Sequence, residues 1–562
     1  MAGPDIPAAK RAGLPVDLDR LTAHGDDWLS PEERYALKMH GVCAQGQPGV
    51  FMIRVRTGGG VLTTAMAGGL ADLADEHSGG WLHVTARQQV ELHHVPARDV
   101  TAVLAAVRAL GLTSRSTCGH TMRGVMACAD AGVGLDEPFD CYPDARCVSE
   151  SVLARTPELD TQLPSRVNIL FGGCAACREH AKTNDAGFVS VIRPDGELGY
   201  ELWVGGSLGK AYPALAVKAL DFVGRADVLP AVHALFDTYV VHGDLDTPNK
   251  ARMKHLVARL GAEEFLGLFR AAYEDARALP WPEPVPLSPP LTASVAEVLA
   301  CSPDGGWGSG IRPQRVPGMA MVTVNVPLGD LDSEDLAALA RLADDFGDEH
   351  LYLTKNQNVM LRYVPVTAVP TVRAVLAELG LTLEGSDQSR DVRACTGGPV
   401  CSLAVTPAQS LGAELLDHPA LVRNSGLRVH VSGCPNACVQ HQIADLGLSG
   451  GKVKVHAESV LGYQVWLGGD LATDTIGQVA GRVAQSDVGA IVEAIVGIWE
   501  ALRERGETLS ETVNRLGLEA FRAQISAVFQ GRWEPGPEPE EPYPVRLDPG
   551  RDRSLPLVAA RS

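Results

Sequence analysis

Four of the twelve cysteines stand in two close pairs, Cys395-x5-Cys401 in ACTGGPVCS and Cys434-x3-Cys438 in SGCPNACVQ. Both pairs lie among small or turn-forming residues, including Gly397, Gly398, Pro399, Gly433, Pro435 and Asn436. Glycine and proline let the backbone fold tightly, so several thiolates and backbone N–H groups can converge on one object. A cubane iron–sulfur cluster needs four such thiolates and amide donors to its sulfurs. Structural zinc more often shows x2 to x4 spacing in both pairs, which the x5 arm fits less well; unliganded buried thiols are the third reading. Elsewhere Cys118, Cys128, Cys141 and Cys147 crowd one loop-rich stretch, followed by Cys174-x2-Cys177. These are read as buried free thiols ahead of a second metal or redox site. Twelve cysteines in 562 residues are too sparse for a disulfide scaffold.

The elements that must position the quartet are written twice. LHVTARQQVELHHVP (82–96) matches LYLTKNQNVMLRYVP (351–365), displaced by 269 residues, and the match runs without a gap into RALGLT (108–113) and AELGLT (377–382). GYELWVGG (199–206) matches GYQVWLGG (462–469), and ARLGAEEF (258–265) matches NRLGLEAF (514–521). Three blocks in the same order mean a duplicated unit with loop insertions. Each copy opens with a strand-like run and a helix of amphipathic spacing. A second strand carries T-x-x-Q, and a further helix ends at LGLT. That order predicts an α/β (α+β) sheet with helices packed on one face. The copies are joined by LPWPEPVPLSPPL (279–291), whose six prolines make a semi-rigid linker. The cluster cysteines occur only in the second copy. The first instead places cations at turns, Arg87, Arg123 and Arg166, with Asn168 beside the last. Guanidinium groups suit a small oxyanion, although a single arginine is more often a surface ion pair.

The formal charge of −19 excludes a protein that coats itself in nucleic acid, and no run of about 18 apolar residues is present to span a membrane. The first twenty residues carry no apolar signal core, so a cytoplasmic location is expected.

On the cysteine set, ACTGGPVC, SGCPNAC, the T-x-R-Q element (Thr85, Arg87, Gln88) and the repeat, about residues 30–530 resemble the siroheme- and 4Fe–4S-containing nitrite and sulfite reductases of the ferredoxin-dependent assimilatory kind. The resemblance implies an internally duplicated, three-part fold with the cofactors between the halves. Its divisions would be an extension over 1–44, a ferredoxin-like half-domain over 45–113, a substrate-side siroheme domain over 114–278, the linker over 279–291, a second half-domain over 292–382, a cluster domain over 383–531 and an acidic, proline-rich tail over 532–562. It implies that Cys395, Cys401, Cys434 and Cys438 bind the cluster, that Cys438 also ligates the siroheme iron, and that Arg87, Arg123, Arg166 and Asn168 surround the substrate. Lys250, Arg252 and Lys254 are candidates for the siroheme carboxylates, with Lys250 and Lys254 on one helix face and Arg252 pointing elsewhere; a solvated face is the rival reading.

Both reactions so implied take six electrons, nitrite to ammonium or sulfite to sulfide. In the family's LP-x-K-x-K element, sulfite reductases usually carry two lysines and nitrite reductases a lysine and then an asparagine. LPSRVN here gives Arg166 and Asn168. The neutral amide suits singly charged nitrite, while arginine at 166 departs from the family lysine and surrenders a proton less readily. His120, His180 and His441 are read as structural before proton relays. No dinucleotide fingerprint is found, so electrons must come from a separate protein, ferredoxin by the resemblance, with a separate flavoprotein as the other possibility. A monomer is expected. The rivals are a precorrin-3B synthase-like enzyme and a noncatalytic metal-stapled structural protein.

Overall fold

In the run VFMIRV, Phe51, Ile53 and Val55 alternate with Met52 and Arg54, and the strand Val50–Val55 buries the first set completely. A period of two thus gives this sheet a core face and a second face free for chemistry. The computed structural model describes residues 3–210, 212–287, 293–386, 388, 390–398, 400–455, 458–529 and 532–536. Pro289, Pro290 and the tail beyond 536 lie outside them.

The first portions of both copies form one body by exchanging strands. In the first sheet Val42–Ala44, Val50–Val55, Val90–Pro96 and Trp81–Val84 are followed by Asp330–Asp332 of the second copy. In its mate Ile311–Pro313, Met319–Val324, Val359–Pro365 and His350–Leu353 are followed by Val61–Thr63 of the first. Each borrowed strand leads into a helix, Thr64–His77 or Ser333–Phe346, and these two helices pack together. One hydrophobic core draws on both copies, from Leu70 and Leu92 to Leu339 and Leu361. Each fully buried leucine contributes about 1.5–3 kcal/mol, so neither half can leave without exposing the other. Both sheets bulge at the same point of the repeat, at His94 (φ 56°) and at Tyr363 (φ 55°), both left-handed. The extra residue twists the strand and re-aims the neighbouring side chains.

The later portions of each copy form separate sheets of one plan. In the first, Met126–Ala127, Ile169–Gly172 and Ala186–Ile192 are parallel, and Leu198–Val204 and Val217–Gly224 continue antiparallel. In the second, Arg393–Ala394, Val429–Ser432, Leu446–Val455, Glu458–Leu467 and Gln478–Ala484 repeat the order, and Trp533–Pro535 adds an edge. The helices Val228–His242 and Val488–Leu502 cover the corresponding cores.

The sequence reading placed T-x-x-Q on a strand, and the structure corrects this. Thr85 to Gln89 form the turn between Trp81–Val84 and Val90–Pro96. Thr85 Oγ1 accepts from the amides of Arg87 (3.3 Å) and Gln89 (3.1 Å), a side-chain-closed turn that competes with the ladder. Thr354 does the same for Asn356 and Asn358.

Candidate active site

A cavity of about 260 Å³ lies between the copies, far larger than a small anion needs when a water molecule takes about 30 Å³. Cys395, Cys401, Cys434 and Cys438 all stand on its wall. Cys395 ends the short strand Arg393–Ala394 and Cys434 follows Val429–Ser432 by two residues, so parallel pairing brings their loops together. The approach is close because both loops use glycine. A Cβ on Gly433 would stand 3.1 Å from Gly397 Cα and 2.9 Å from Thr406 O. The Gly433 amide donates to Cys395 Sγ at 3.1 Å. Around Cys438 the chain enters the left-handed region at Ala437 (φ 53°) and Gln440 (φ 55°), a strain of about 1–2 kcal/mol at each non-glycine residue. Cys438 is the exposed member of the quartet, its surface being cavity wall. Burial, and after it the charge of Cys438, raises the thiols of Cys395 and Cys401 above the ordinary range and that of Cys434 to about 11. A metal centre held by these thiols must displace their protons.

The arginines come from the first copy. The segments Thr121–Arg123 and Arg166–Asn168 pair through a parallel bridge between Met122 and Val167, with Arg123 N donating to Val167 O at 3.0 Å. That bridge brings Arg123, Arg166 and Asn168 to one rim, and Arg87 reaches it from the Thr85–Gln89 turn; all four are on the cavity wall. Arg123 is anchored by donation to the carbonyls of Thr117 and, at 2.8 Å, Gly119. Burial lowers Arg123 to about 9 and, with Arg252 as the second cause, Arg166 to about 10, so both stay cationic at neutral pH. Arg87 Nε, Arg123 Nε, Arg166 Nε and Asn168 Oδ1 are buried without a hydrogen-bond partner, an arrangement that needs a bound polar group to complete it.

Several wall residues were not singled out in the sequence. On the cavity face of the first sheet Arg54 stands opposite Glu91, and the two form an ion pair. Glu91 also meets His93 Nε2 at 3.2 Å. Burial would raise Glu91, but Arg54 and His93 hold it well below the usual carboxylate range. His83 bonds Asp330 of the second copy at 2.6 Å. The alternation in VFMIRV and VELHH was the available signal for this face. Asp185 is a further positioning residue. It takes the Asn168 amide at 2.9 Å and two contacts from Arg252, at 2.9 and 3.1 Å.

Gln88 and Gln357, also unassigned beforehand, are staples between the copies. Gln88 Nε2 donates to Ala127 O and to Leu353 O, both at 2.8 Å, and its Oε1 accepts from Ala127 N at 3.1 Å. Gln357 Nε2 donates to Val84 O at 3.2 Å and to Ala394 O at 3.1 Å, the same pattern in mirror roles. Thus the turn that presents Arg87 is pinned by the residue next to it.

The reading of Lys250, Arg252 and Lys254 is corrected. The helix begins at Met253, Arg252 is extended (ψ 150°) and Lys250 ends a separate short turn, so Lys250 and Lys254 share no helix face. Arg252, expected to point elsewhere, is the member on the cavity wall. Lys254 is buried and donates to the carbonyls of Ser207, Gly209 and Tyr212 at 3.3, 2.7 and 2.6 Å, which fixes the loop beside the cavity. Lys250 is exposed. His441 bonds Ser432 Oγ at 2.9 Å away from the wall, while His180 lines the cavity and bonds Gln440 of the other copy. His120 packs edge-on against Tyr35.

These features coincide with comparisons to known proteins. Residues 118–275 and 385–532 match the nitrite and sulphite reductase 4Fe-4S domain, and residues 44–110 and 312–379 match the nitrite/sulfite reductase ferredoxin-like half domain. The chain belongs to the nitrite and sulfite reductase family, whose cofactors are a 4Fe–4S cluster and siroheme. It is 30% identical to the ferredoxin--nitrite reductase of Synechococcus elongatus over 485 residues, 83% of this chain and 90% of that one. It is 27% identical over 568 residues to the assimilatory ferredoxin-dependent nitrite reductase of Haloferax mediterranei, covering 94% and 95%. A sulfite reductase (ferredoxin) 2 of Mycolicibacterium paratuberculosis is likewise 27% identical, over 484 residues, 84% and 83% of the two chains. The fold matches the solved Mycobacterium tuberculosis NirA protein with a TM-score of 0.77 at 24% identity, over 92% of this chain and 96% of that one. Among the described residues no helix is long and apolar enough to cross a membrane.

Proposed function

We propose that this reductase converts nitrite to ammonium, taking six electrons and eight protons and releasing two waters, with ferredoxin as the electron donor. The observation that carries the reading is a single cavity lined both by the four thiols and by Arg87, Arg123, Arg166 and Asn168. Cys395, Cys401, Cys434 and Cys438 would hold the cluster. Cys438, exposed to the cavity, would also hold the siroheme iron, and Arg252 would meet a carboxylate of the macrocycle with its free Nε. Siroheme and cluster together supply the multi-electron chemistry at one iron.

The protein's own part is electrostatic and positional. Arg87, Arg123 and Arg166 neutralise the anion and donate to its oxygens as the N–O bonds break, and such preorganised donors do not have to reorganise during reaction. Asn168 sits where a second lysine would add charge. A neutral amide there favours the singly charged anion over sulfite, whose greater charge gains more from a cation. Arginine at 166 surrenders a proton less readily than lysine would, and the lysines on the wall are Lys38 and Lys355.

Sulfite reduction to sulfide is the second reading, supported by the relative from Mycolicibacterium paratuberculosis. Steady-state turnover with dithionite-reduced viologen separates the two. A larger kcat/KM for nitrite is expected, and a larger value for sulfite would reverse the assignment.

A further inference from the structure

The first copy keeps part of the cysteine plan of the second. Cys128 directly follows the strand Met126–Ala127, as Cys395 follows Arg393–Ala394. Cys174 stands two residues beyond Ile169–Gly172, as Cys434 stands two beyond Val429–Ser432. An amide contact to the first sulfur is also present, shifted by one residue: Cys174 N donates to Cys128 Sγ at 3.5 Å, where the second copy uses Gly433 N. The third thiol differs: Cys177 lies three residues after Cys174, whereas Cys438 lies four after Cys434. The sulfurs of Cys128, Cys174 and Cys177 all lie within 4.8 Å of one another, and all three residues are buried. They form the one such group of potential metal ligands among the described residues, so the cluster quartet, which must enclose four irons, is spread more widely.

We propose that Cys128, Cys174 and Cys177 bind a single zinc ion in the first-copy domain. Zinc takes thiolates at about 2.3 Å, which sets sulfurs about 3.8 Å apart in a tetrahedral site, within the span observed and too tight for a cubane. Cys128 already directs its thiol at Cys174 at 3.2 Å. Metal binding then releases the thiol protons to solvent.

Glu137 stands near the loop that carries Cys174, outside the group of three sulfurs. Glu137 is 4% exposed, and both its carboxylate oxygens are buried without a partner. A Cβ on Gly173, the residue before Cys174, would stand 2.9 Å from Glu137 Oε2. The Glu137 oxygens do not lie within 4.8 Å of all three sulfurs, and burial pushes the carboxyl up to about 9, so the trio supplies three ligands and solvent the fourth. Ala175 and Ala176, exposed just above the trio, leave a short path from solvent. The ion would clasp the ends of Met126–Ala127 and Ile169–Gly172, the strands that run from Arg123 and Arg166, where the second copy uses its cluster.

The test is zinc content of the full-length holoenzyme, grown with zinc and purified without chelator, beside its iron content. About one zinc per chain is expected in wild type and in Cys147→Ser, a thiol outside the trio, and none in Cys174→Ser. Zinc retained by Cys174→Ser, or absent from iron-replete wild type, overturns the proposal. Should Cys174→Ser fail to fold, zinc K-edge X-ray absorption of wild type decides. A first shell with three sulfurs supports the site, and a shell of oxygen and nitrogen alone refutes it.

Discussion

On the proposed function, the T-x-R-Q element divides into a residue that serves the substrate and a residue that holds the fold, and the division has a measurable size. Gln88 is 2% exposed and makes three hydrogen bonds, two as donor and one as acceptor, to Ala127 and across the copies to Leu353. Gln88→Ala would leave all three backbone groups buried and unpaired. At about 1–3 kcal/mol for each orphaned group, the loss is about 3–9 kcal/mol. With a urea slope of about 2–3 kcal/mol per molar, the first unfolding transition should move down by more than about 1 M. Arg87, on the cavity wall with Nε unpartnered, supports nothing comparable. Arg87→Ala should change stability by no more than about 0.5 kcal/mol. It should instead lower kcat/KM for nitrite about 10- to 150-fold, the worth of one charge-assisted hydrogen bond of about 1.5–3 kcal/mol. Urea unfolding and viologen-driven turnover on the two variants give both numbers. If Gln88→Ala lost less than about 1 kcal/mol, or Arg87→Ala lost stability and kept its turnover, the reasoning would be refuted.

Asn168→Lys should shift the ratio of kcat/KM values toward sulfite by about tenfold, since it adds a cation at the anion's rim; an unchanged ratio would empty the charge argument. Cys438→Ser should lose turnover and the spectroscopic coupling between cluster and haem, and full activity with both cofactors bound would refute its bridging role. His83 gives a pH signature. Burial pulls its pKa down, but the bond and charge of Asp330 prevail and leave it raised. A raised value means stabilisation that is complete below the unfolded pKa of about 6.5 and fades as pH rises through the folded one. The stability gap between wild type and Asp330→Asn, followed by urea unfolding, should therefore be larger at pH 6 than at pH 9, and a gap that widened with pH would contradict this.

The duplication and the cysteine quartet were legible because both are local patterns, a repeated string and two tight turns. The strand exchange was not. Nothing in the three-residue runs Val61–Thr63 and Asp330–Asp332 names a partner in the other copy, and pairing across such a distance is settled by the shared core. Arg54, His83 and Glu91 were missed because strand alternation tells that a residue leaves the core, and not whether it meets water or a cavity. The spacing of Lys250, Arg252 and Lys254 suggested a helix that the extended backbone at Arg252 interrupts. Cys128 and Cys174, 46 residues apart, meet because two parallel strands end side by side.

The central claim is that the thiols of the second copy hold a cluster beside a siroheme in a pocket whose arginines come from the first. The absorption spectrum of the purified protein, taken with its iron content, tests it most directly. A reduced-porphyrin Soret band with a red charge-transfer band and about five irons per chain is the expected result. A colourless protein, or a broad brown shoulder with about four irons and no Soret band, would contradict it.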